Sequence, residues 1–168
     1  MSGEVKYTVF HTSMGWVGIL SSAQGLLRTI TLPQHSAQQA RHQLGESSND
    51  AVWLPNLFDD LVERFRIYFS GGEITFPDKL DLSGATHFQR RVWEATRLIP
   101  YGETRNYTWV AQQVGRPRAV RAVGQALARN PLPVIIPCHR VLTIDGGLGG
   151  FSDGVEIKRR LLHLEASA

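Results

Sequence analysis

A thiol beside an imidazole is the pair in this chain best suited to nucleophilic chemistry. Cys138 is the only cysteine, and it stands in Pro137-Cys138-His139-Arg140-Val141. The apolar run Leu132-Pro133-Val134-Ile135-Ile136 precedes it and predicts a short buried strand that delivers the thiol. The thiolate is the attacking form, and a nearby base or cation favours it. His139 is the obvious base among six histidines. Neighbouring side chains on a strand point to opposite sides. A Cys138–His139 partnership therefore needs a bend at Pro137 or a bridging water. The competing reading of a lone cysteine in an apolar stretch is an inert core residue.

A third group should orient the imidazole. The last predicted helix, from Val155 to Leu164, runs into Glu165. A carboxylate at a helix C-terminus opposes the helix dipole, which hints that Glu165 has another purpose, such as pairing with His139. A solvated glutamate on a frayed end is the plainer reading of the sequence alone. After the cysteine comes Gly146-Gly147-Leu148-Gly149-Gly150-Phe151-Ser152. It lacks the lysine of a phosphate loop and the strand–helix frame of a dinucleotide site. It reads as a flexible wall beside Cys138, with Phe151 able to stack on a flat ring and Ser152 able to donate a hydrogen bond.

The elements before the cysteine say what the thiol could act on. Tyr107 to Val114 reads as a helix with Val110, Ala111 and Val114 inward. Gly115 is a natural C-cap, and Pro117 can open a second helix. Ala119, Ala122, Val123, Ala126 and Leu127 form one apolar stripe on that second helix, and Arg118, Arg121, Gln125 and Arg129 lie opposite. Two short helices around a glycine turn, with basic residues on the second, make a helix-turn-helix. Ala122, Gly124, Ala126 and Ala128 keep the second helix slim, which suits close approach to phosphates or a minor groove with little sequence specificity. The alternative is a helix made slim for internal packing. Gly124 costs about 1 kcal/mol against alanine, so some contact is expected to require it. The helix ends immediately before the Cys138 segment. Chemistry on a base in a duplex requires that base to leave the stack, and Arg121 is placed to fill the gap.

Charge divides unevenly along the 168 residues. Residues 1–84 hold six Lys/Arg against nine Asp/Glu, and residues 85–168 hold twelve against six. The basic half carries Cys138, as befits a polyanion partner, although an ordinary solvated basic surface gives the same count. One cysteine excludes an intramolecular disulfide, the first residues lack a signal-peptide pattern, and no apolar run approaches the ~20 residues of a membrane span. The cytoplasm is the expected compartment. In the first half, Tyr7–Phe10, Gly15–Leu20 and Gly25–Leu32 read as an antiparallel meander, Ser36–Leu44 as a helix, and Leu57, Leu61, Phe65 and Phe69 as one face of another. Thr86 and Gln89 form a capping box for a helix lined by Phe88, Val92, Ala95 and Ile99. The expected organisation is an α/β domain over 1–80, a connector over 81–85, and a mostly helical domain over 86–168.

These residues resemble the O6-alkylguanine-DNA alkyltransferase family. The likeness rests on Pro137-Cys138-His139-Arg140-Val141 after Asn130-Pro131, on Ile99-Pro100-Tyr101-Gly102-Glu103-Thr104, on Tyr107, on Arg121-Ala122-Val123-Gly124, and on the glycine loop through to Glu165. It is dense over 86–166, and the N-terminal half matches only in pattern.

The resemblance implies a ribonuclease H-like N-terminal domain and direct repair of duplex DNA. The protein would bind from the minor groove, rotate the damaged guanine out, and move its O6-alkyl group irreversibly to Cys138. O4-alkylthymine stays open as a second substrate. It further implies that Glu165 and His139 deprotonate Cys138 through a water and that Arg121 intercalates. Tyr107 would crowd the 3′ phosphate, and its hydroxyl could protonate the leaving guanine oxygen. Asn130 would brace the link from recognition helix to thiol. Thr108, Arg118, Ala122, Gly124 and Gln125 would meet DNA. Leu127, Pro133, Leu148, Gly149, Phe151 and Ser152 would line the guanine pocket, with the Val141 carbonyl reading the base. No metal or organic cofactor is implied, no membrane is involved, and the working unit is a monomer, with cooperative binding along DNA left open. Phe151 stands where many members have tyrosine, and His87 where many bacterial members have proline. With no second cysteine, the N-terminal zinc site and disulfide of some members have no ligands here.

Three other readings fit parts of the sequence. They are a lesion-binding relative without transfer, a Cys-His-Glu amide hydrolase, and a plain helix-turn-helix regulator.

Overall fold

The computed structural model describes residues 3–148 and 154–166. The chain divides into two compact units, one ending at Leu82 and the other starting at Ser83.

The N-terminal unit is built on the expected meander: β1 (Lys6–Thr12), β2 (Gly15–Ser21) and β3 (Leu27–Ile30) pair antiparallel in sequence order. A fourth strand, β4 (Val52–Trp53), joins β1 in parallel, giving the order β3-β2-β1-β4. Two exposed residues carry no periodicity, so β4 leaves no trace in the hydrophobic pattern. Helix α1 (Ala37–Gln43) starts where the Ser36 side chain accepts from the Gln39 N–H, an ordinary N-cap. It closes on β2 at Gly18, where a Cβ would sit 3.0 Å from the Ala40 carbonyl oxygen, so a side chain there would push the helix back by a few tenths of an ångström. Helix α2 (Asp59–Phe69) buries Leu61, Phe65, Tyr68 and Phe69, and Phe65 packs against Phe10 of β1. It begins two residues later than the Leu57 periodicity indicates, because Phe58 takes a left-handed conformation at its N-cap.

The C-terminal unit opens with α3 (His87–Arg97), whose N-terminus carries the reciprocal Thr86–Gln89 capping box. Val92, Ala95 and Ile99 are buried as the pattern requires, and Phe88 is half-buried. Trp93 is buried as well, donating from its indole N–H to the Ala126 carbonyl at 2.9 Å. Strand β5 (Arg105–Asn106) leads into α4 (Tyr107–Gln113), which Asn106 caps by accepting from the Trp109 N–H at 2.7 Å.

Helix α4 ends in a Schellman motif: Gly115 N–H reaches the Gln112 carbonyl and Arg116 N–H the Ala111 carbonyl, with Gly115 at φ 76°. Pro117 lies in the turn rather than at the start of the second helix, which begins later: α5 spans Val120–Ala128, with Ala119 at its N-cap. Helix α6 (Val155–Ala166) closes the described chain and extends one residue past Glu165. No described helix is long and apolar enough to cross a membrane.

The run 132–137 is not a strand, contrary to its apolar pattern. Pro133 and Pro137 have no N–H to give a ladder, and Val134 adopts a left-handed φ of 75°. The segment is instead a buried loop closed on itself, with Ile136 N–H donating to the Leu132 carbonyl at 2.9 Å.

Candidate active site around Cys138

Cys138 enters its site through a tight turn. Pro137 sits at φ −80° and ψ 64°, and Cys138 N–H reaches back to the Ile136 carbonyl at 2.7 Å, the geometry of an inverse γ-turn. Cys138–Arg140 then form a single 3-10 turn before β6 (Val141–Leu142). The opposed side chains expected of an extended strand are therefore replaced by three side chains fanned around one turn.

Asn130 fixes this arrangement. It follows α5 directly, and its Oδ1 accepts from Leu132 N–H at 2.8 Å. Its Nδ2 donates to the Ile136 carbonyl at 2.8 Å and to Cys138 Sγ at 3.2 Å. One side chain thus supplies hydrogen bonds that a sheet would otherwise provide, and it aims an N–H at the sulfur. Such a donor favours the thiolate over the thiol.

The turn also delivers His139 and Arg140 into the protein, where both are buried. Glu165, 4% exposed, meets them from α6. His139 Nε2 lies 2.6 Å from Glu165 Oε2. Arg140 donates from Nε to Oε1 at 2.8 Å and from Nη2 to Oε2 at 3.0 Å, and from Nη1 to the Ile99 carbonyl at 2.8 Å. Gly102 N–H adds a further donor to Oε1 at 3.2 Å. A carboxylate with this many donors stays ionised. Its partner Nε2 then carries the ring proton, which leaves Nδ1 as the basic nitrogen. Burial is the main influence on His139 and lowers its pKa against the opposing pull of Glu165, so the ring is neutral near pH 7. Glu165 is thus not a frayed-end residue.

β5 pairs in parallel with β6, matching Arg105 to Val141 and Asn106 to Leu142. This two-residue ladder ties the start of α4 to the end of the cysteine turn and sets Tyr107 next to the site. The Tyr107 phenol is pushed up, first by burial and then by the charge of Cys138. The hydroxyl therefore stays protonated and able to donate. Of the other expected pocket residues, Leu127, Pro133 and Val141 are buried, and Leu148 is half-buried. Gly149, Phe151 and Ser152 lie outside the described residues. On α5 and its approach, Arg118, Arg121, Gln125 and Arg129 are exposed, whereas Ala122 and Gly124, with Thr108 of α4, are half-buried. A Cβ on Gly124 would meet only Tyr107 Cε1 at 3.9 Å, an ordinary contact. No described neighbour within the protein requires glycine there.

Comparison with known proteins places this geometry. The family described as 6-O-methylguanine DNA methyltransferase, DNA binding domain, matches residues 87–167. A methylated-DNA–protein-cysteine methyltransferase of Mycobacterium bovis is 49% identical over 113 residues, 67% of this chain and 68% of the relative. One from Methanosarcina barkeri is 49% identical over 117 residues, 68% of this chain and 73% of the relative. The crystal structure of Mycobacterium tuberculosis OGT in complex with DNA superposes with a TM-score of 0.82 at 38% identity, covering 97% of this chain and 94% of that one. The chain belongs to the methylated-DNA–protein-cysteine methyltransferase family. The O6-methylguanine-DNA methyltransferase of the archaeon Pyrococcus kodakaraensis, 28% identical with a TM-score of 0.71, covers 95% of this chain and 98% of its own.

Two residues of this methyltransferase site escape a sequence reading. Arg140 and Lys158 look like ordinary surface charges, yet both are buried. Lys158 donates from Nζ to the Val141 carbonyl at 2.6 Å and to the Leu148 carbonyl at 2.5 Å. A signal was present: Lys158, Leu161 and Glu165 are spaced i, i+3, i+7, so both charges share the buried stripe of α6 with a leucine.

Proposed function

We propose that this protein repairs O6-alkylguanine in duplex DNA by taking the alkyl group onto Cys138, once per molecule. The observation that carries this reading is the buried Cys138 thiol, braced by Asn130 at 3.2 Å beside a His139–Glu165 pair, in a chain of this family. The Cys138 Sγ–carbon bond forms as the carbon–O6 bond breaks. The bond's electron pair leaves with guanine, which takes up one proton, and the thioether does not revert. A soft, aligned nucleophile is what such a displacement needs. In this reading Glu165 orients His139, which removes the Cys138 proton through a water. Asn130 steadies the sulfur, and Tyr107 crowds the 3′ phosphate and gives a proton to the base.

DNA is the partner, approached from the minor groove. Arg121 fills the space left by the rotated nucleotide, and Thr108, Arg118, Ala122, Gly124 and Gln125 face the duplex. Internal packing does not demand glycine at 124, where a Cβ would meet only Tyr107 Cε1 at 3.9 Å, and this favours a contact outside the protein. Leu127, Pro133 and Leu148 line the base pocket, and the Val141 carbonyl reads the guanine edge. The acceptance of O4-alkylthymine belongs to this same proposal.

Intact-protein mass spectrometry after incubation with a duplex holding one O6-methylguanine tests it. The expected result is one added methyl, mapped to Cys138 and saturating at one per protein. Damaged DNA bound with no added mass would overturn the transfer step.

A further inference from the structure

Trp93 lies on α3, 4% exposed, and its indole N–H donates to the Ala126 carbonyl at 2.9 Å. That carbonyl belongs to the last turn of α5, where the helix supplies no complete set of donors for its own carbonyls. A buried indole fills space whatever its N–H does. What the N–H decides is visible in how α5 ends.

In a continuing α-helix the Asn130 N–H would bond four residues back, to Ala126. It bonds three residues back instead, to the Leu127 carbonyl at 3.2 Å. The Ala126 carbonyl is already met twice, by the Trp93 indole and by the Arg129 N–H at 3.2 Å, and a carbonyl oxygen has two lone pairs. Pro131 disfavours a helical Asn130, but it does not choose the carbonyl that the Asn130 N–H meets. Trp93 tightens the end of α5 and fixes where Asn130 leaves it.

That point of departure governs three bonds made by one side chain. Asn130 accepts from the Leu132 N–H at 2.8 Å, and donates to the Ile136 carbonyl at 2.8 Å and to Cys138 Sγ at 3.2 Å. A rotation of its backbone moves all three together.

We propose that Trp93 is a positioning residue for the reaction at Cys138, acting through the Ala126 carbonyl on the placement of Asn130. The route runs from the α3 indole to the last turn of α5, then to the Asn130 amide and the sulfur. This rests on the reading of Cys138 as the reactive thiol, and it extends the machinery of that thiol to a helix further out.

The test removes only the donor. Replacing Trp93 by 3-benzothienylalanine in the full chain keeps the fused ring and puts sulfur in place of the N–H. Iodoacetamide then reports the thiol: Cys138 Sγ forms a thioether and iodide leaves. No DNA is present, so a failure of the repair reading leaves this test intact. The titratable groups around the thiol are His139 and Arg140 from its own turn, Tyr107 from α4, and Lys158 and Glu165 from α6, and they are the same in every protein compared.

The pH midpoint of alkylation should rise by at least about half a pH unit, roughly threefold in proton affinity. On an Asn130→Ala background the same replacement should move the midpoint by no more than about 0.2 pH unit, because the route to sulfur is already cut. General loosening of the protein would shift both backgrounds alike. An unchanged midpoint overturns the proposal, and so does a shift that survives undiminished in Asn130→Ala. If the replacement does not fold, Trp93→Phe is held to the same two outcomes. The unmodified protein gives an independent check by NMR of its indole N–H groups. That of Trp93 should exchange with solvent at least about a hundredfold more slowly than that of Trp53, which is 57% exposed. Exchange as fast as at Trp53 would remove the bond and the proposal with it.

Discussion

Glu165 engages Arg140 through both carboxylate oxygens, at 2.8 Å from Nε to Oε1 and 3.0 Å from Nη2 to Oε2, while the same carboxylate holds His139 at 2.6 Å. Removing its charge strands the Arg140 guanidinium in the interior. Breaking a buried pair by deleting one partner costs about 3–5 kcal/mol. Glu165→Gln should lose about that much stability in urea denaturation and should alkylate Cys138 more slowly. A stability within 1 kcal/mol of wild type would show that the pair is dispensable.

The lowered pKa of His139 fixes the sign of a pH effect. The unfolded chain, with an ordinary imidazole near 6.5, binds more protons than the folded protein as the pH falls. Stability therefore drops as the medium is acidified through about pH 6.5 and recovers above it. The urea midpoint should be lower at pH 5.5 than at pH 7.5, and His139→Gln should flatten that difference. An equal slope in the variant would assign the effect to other groups.

Asn130→Ala removes the partners of the Leu132 N–H and the Ile136 carbonyl together. Each unsatisfied buried group costs about 1–3 kcal/mol, so a loss of about 2 kcal/mol or more is expected. Asn130→Asp keeps the acceptor but replaces the donor to sulfur with a negative charge. Its Cys138 should react with iodoacetamide at least tenfold more slowly at pH 7, and a wild-type rate would remove Asn130 from thiolate stabilisation.

Arg121 is exposed, so Arg121→Ala should change stability by no more than about 0.5 kcal/mol. Repair of methylated duplex should fall steeply, while reaction with free benzylguanine stays near normal. Equal losses on both substrates would refute a role at the vacated base position.

Gly124→Ala separates folding from DNA approach. With 3.9 Å to its nearest side-chain atom, the new methyl fits, and the helix should gain about 1 kcal/mol. Duplex affinity should weaken, as measured by fluorescence anisotropy. Unchanged affinity would mean that DNA does not come close at this residue.

The sequence made the helices and the meander legible because each carried its own punctuation. Gly115, the Thr86–Gln89 pair and the alanine stripe of α5 are local signals, readable without knowing the rest of the fold. The cysteine segment misled for a physical reason. A buried apolar run has the same hydrophobic pattern whether a sheet or a single asparagine satisfies its backbone, and the two prolines were the only local warning. Glu165 was legible as an anomaly against its helix dipole, but its partners lie about 25 residues away in sequence. Arg140 was hidden because charge in a sequence reads as surface until tertiary neighbours bury it, and Lys158 showed only through its spacing with Leu161 on α6.

Cys138 is the only sulfhydryl in 168 residues. Under the proposed single transfer to Cys138, thiol content in a purified sample equals the count of molecules that can still react. A denatured aliquot treated with any sulfhydryl-specific mass tag reports unspent protein as the tagged fraction, with no DNA substrate and no activity standard. Every preparation can thus be calibrated by its own covalent history before a rate or an affinity is assigned to it.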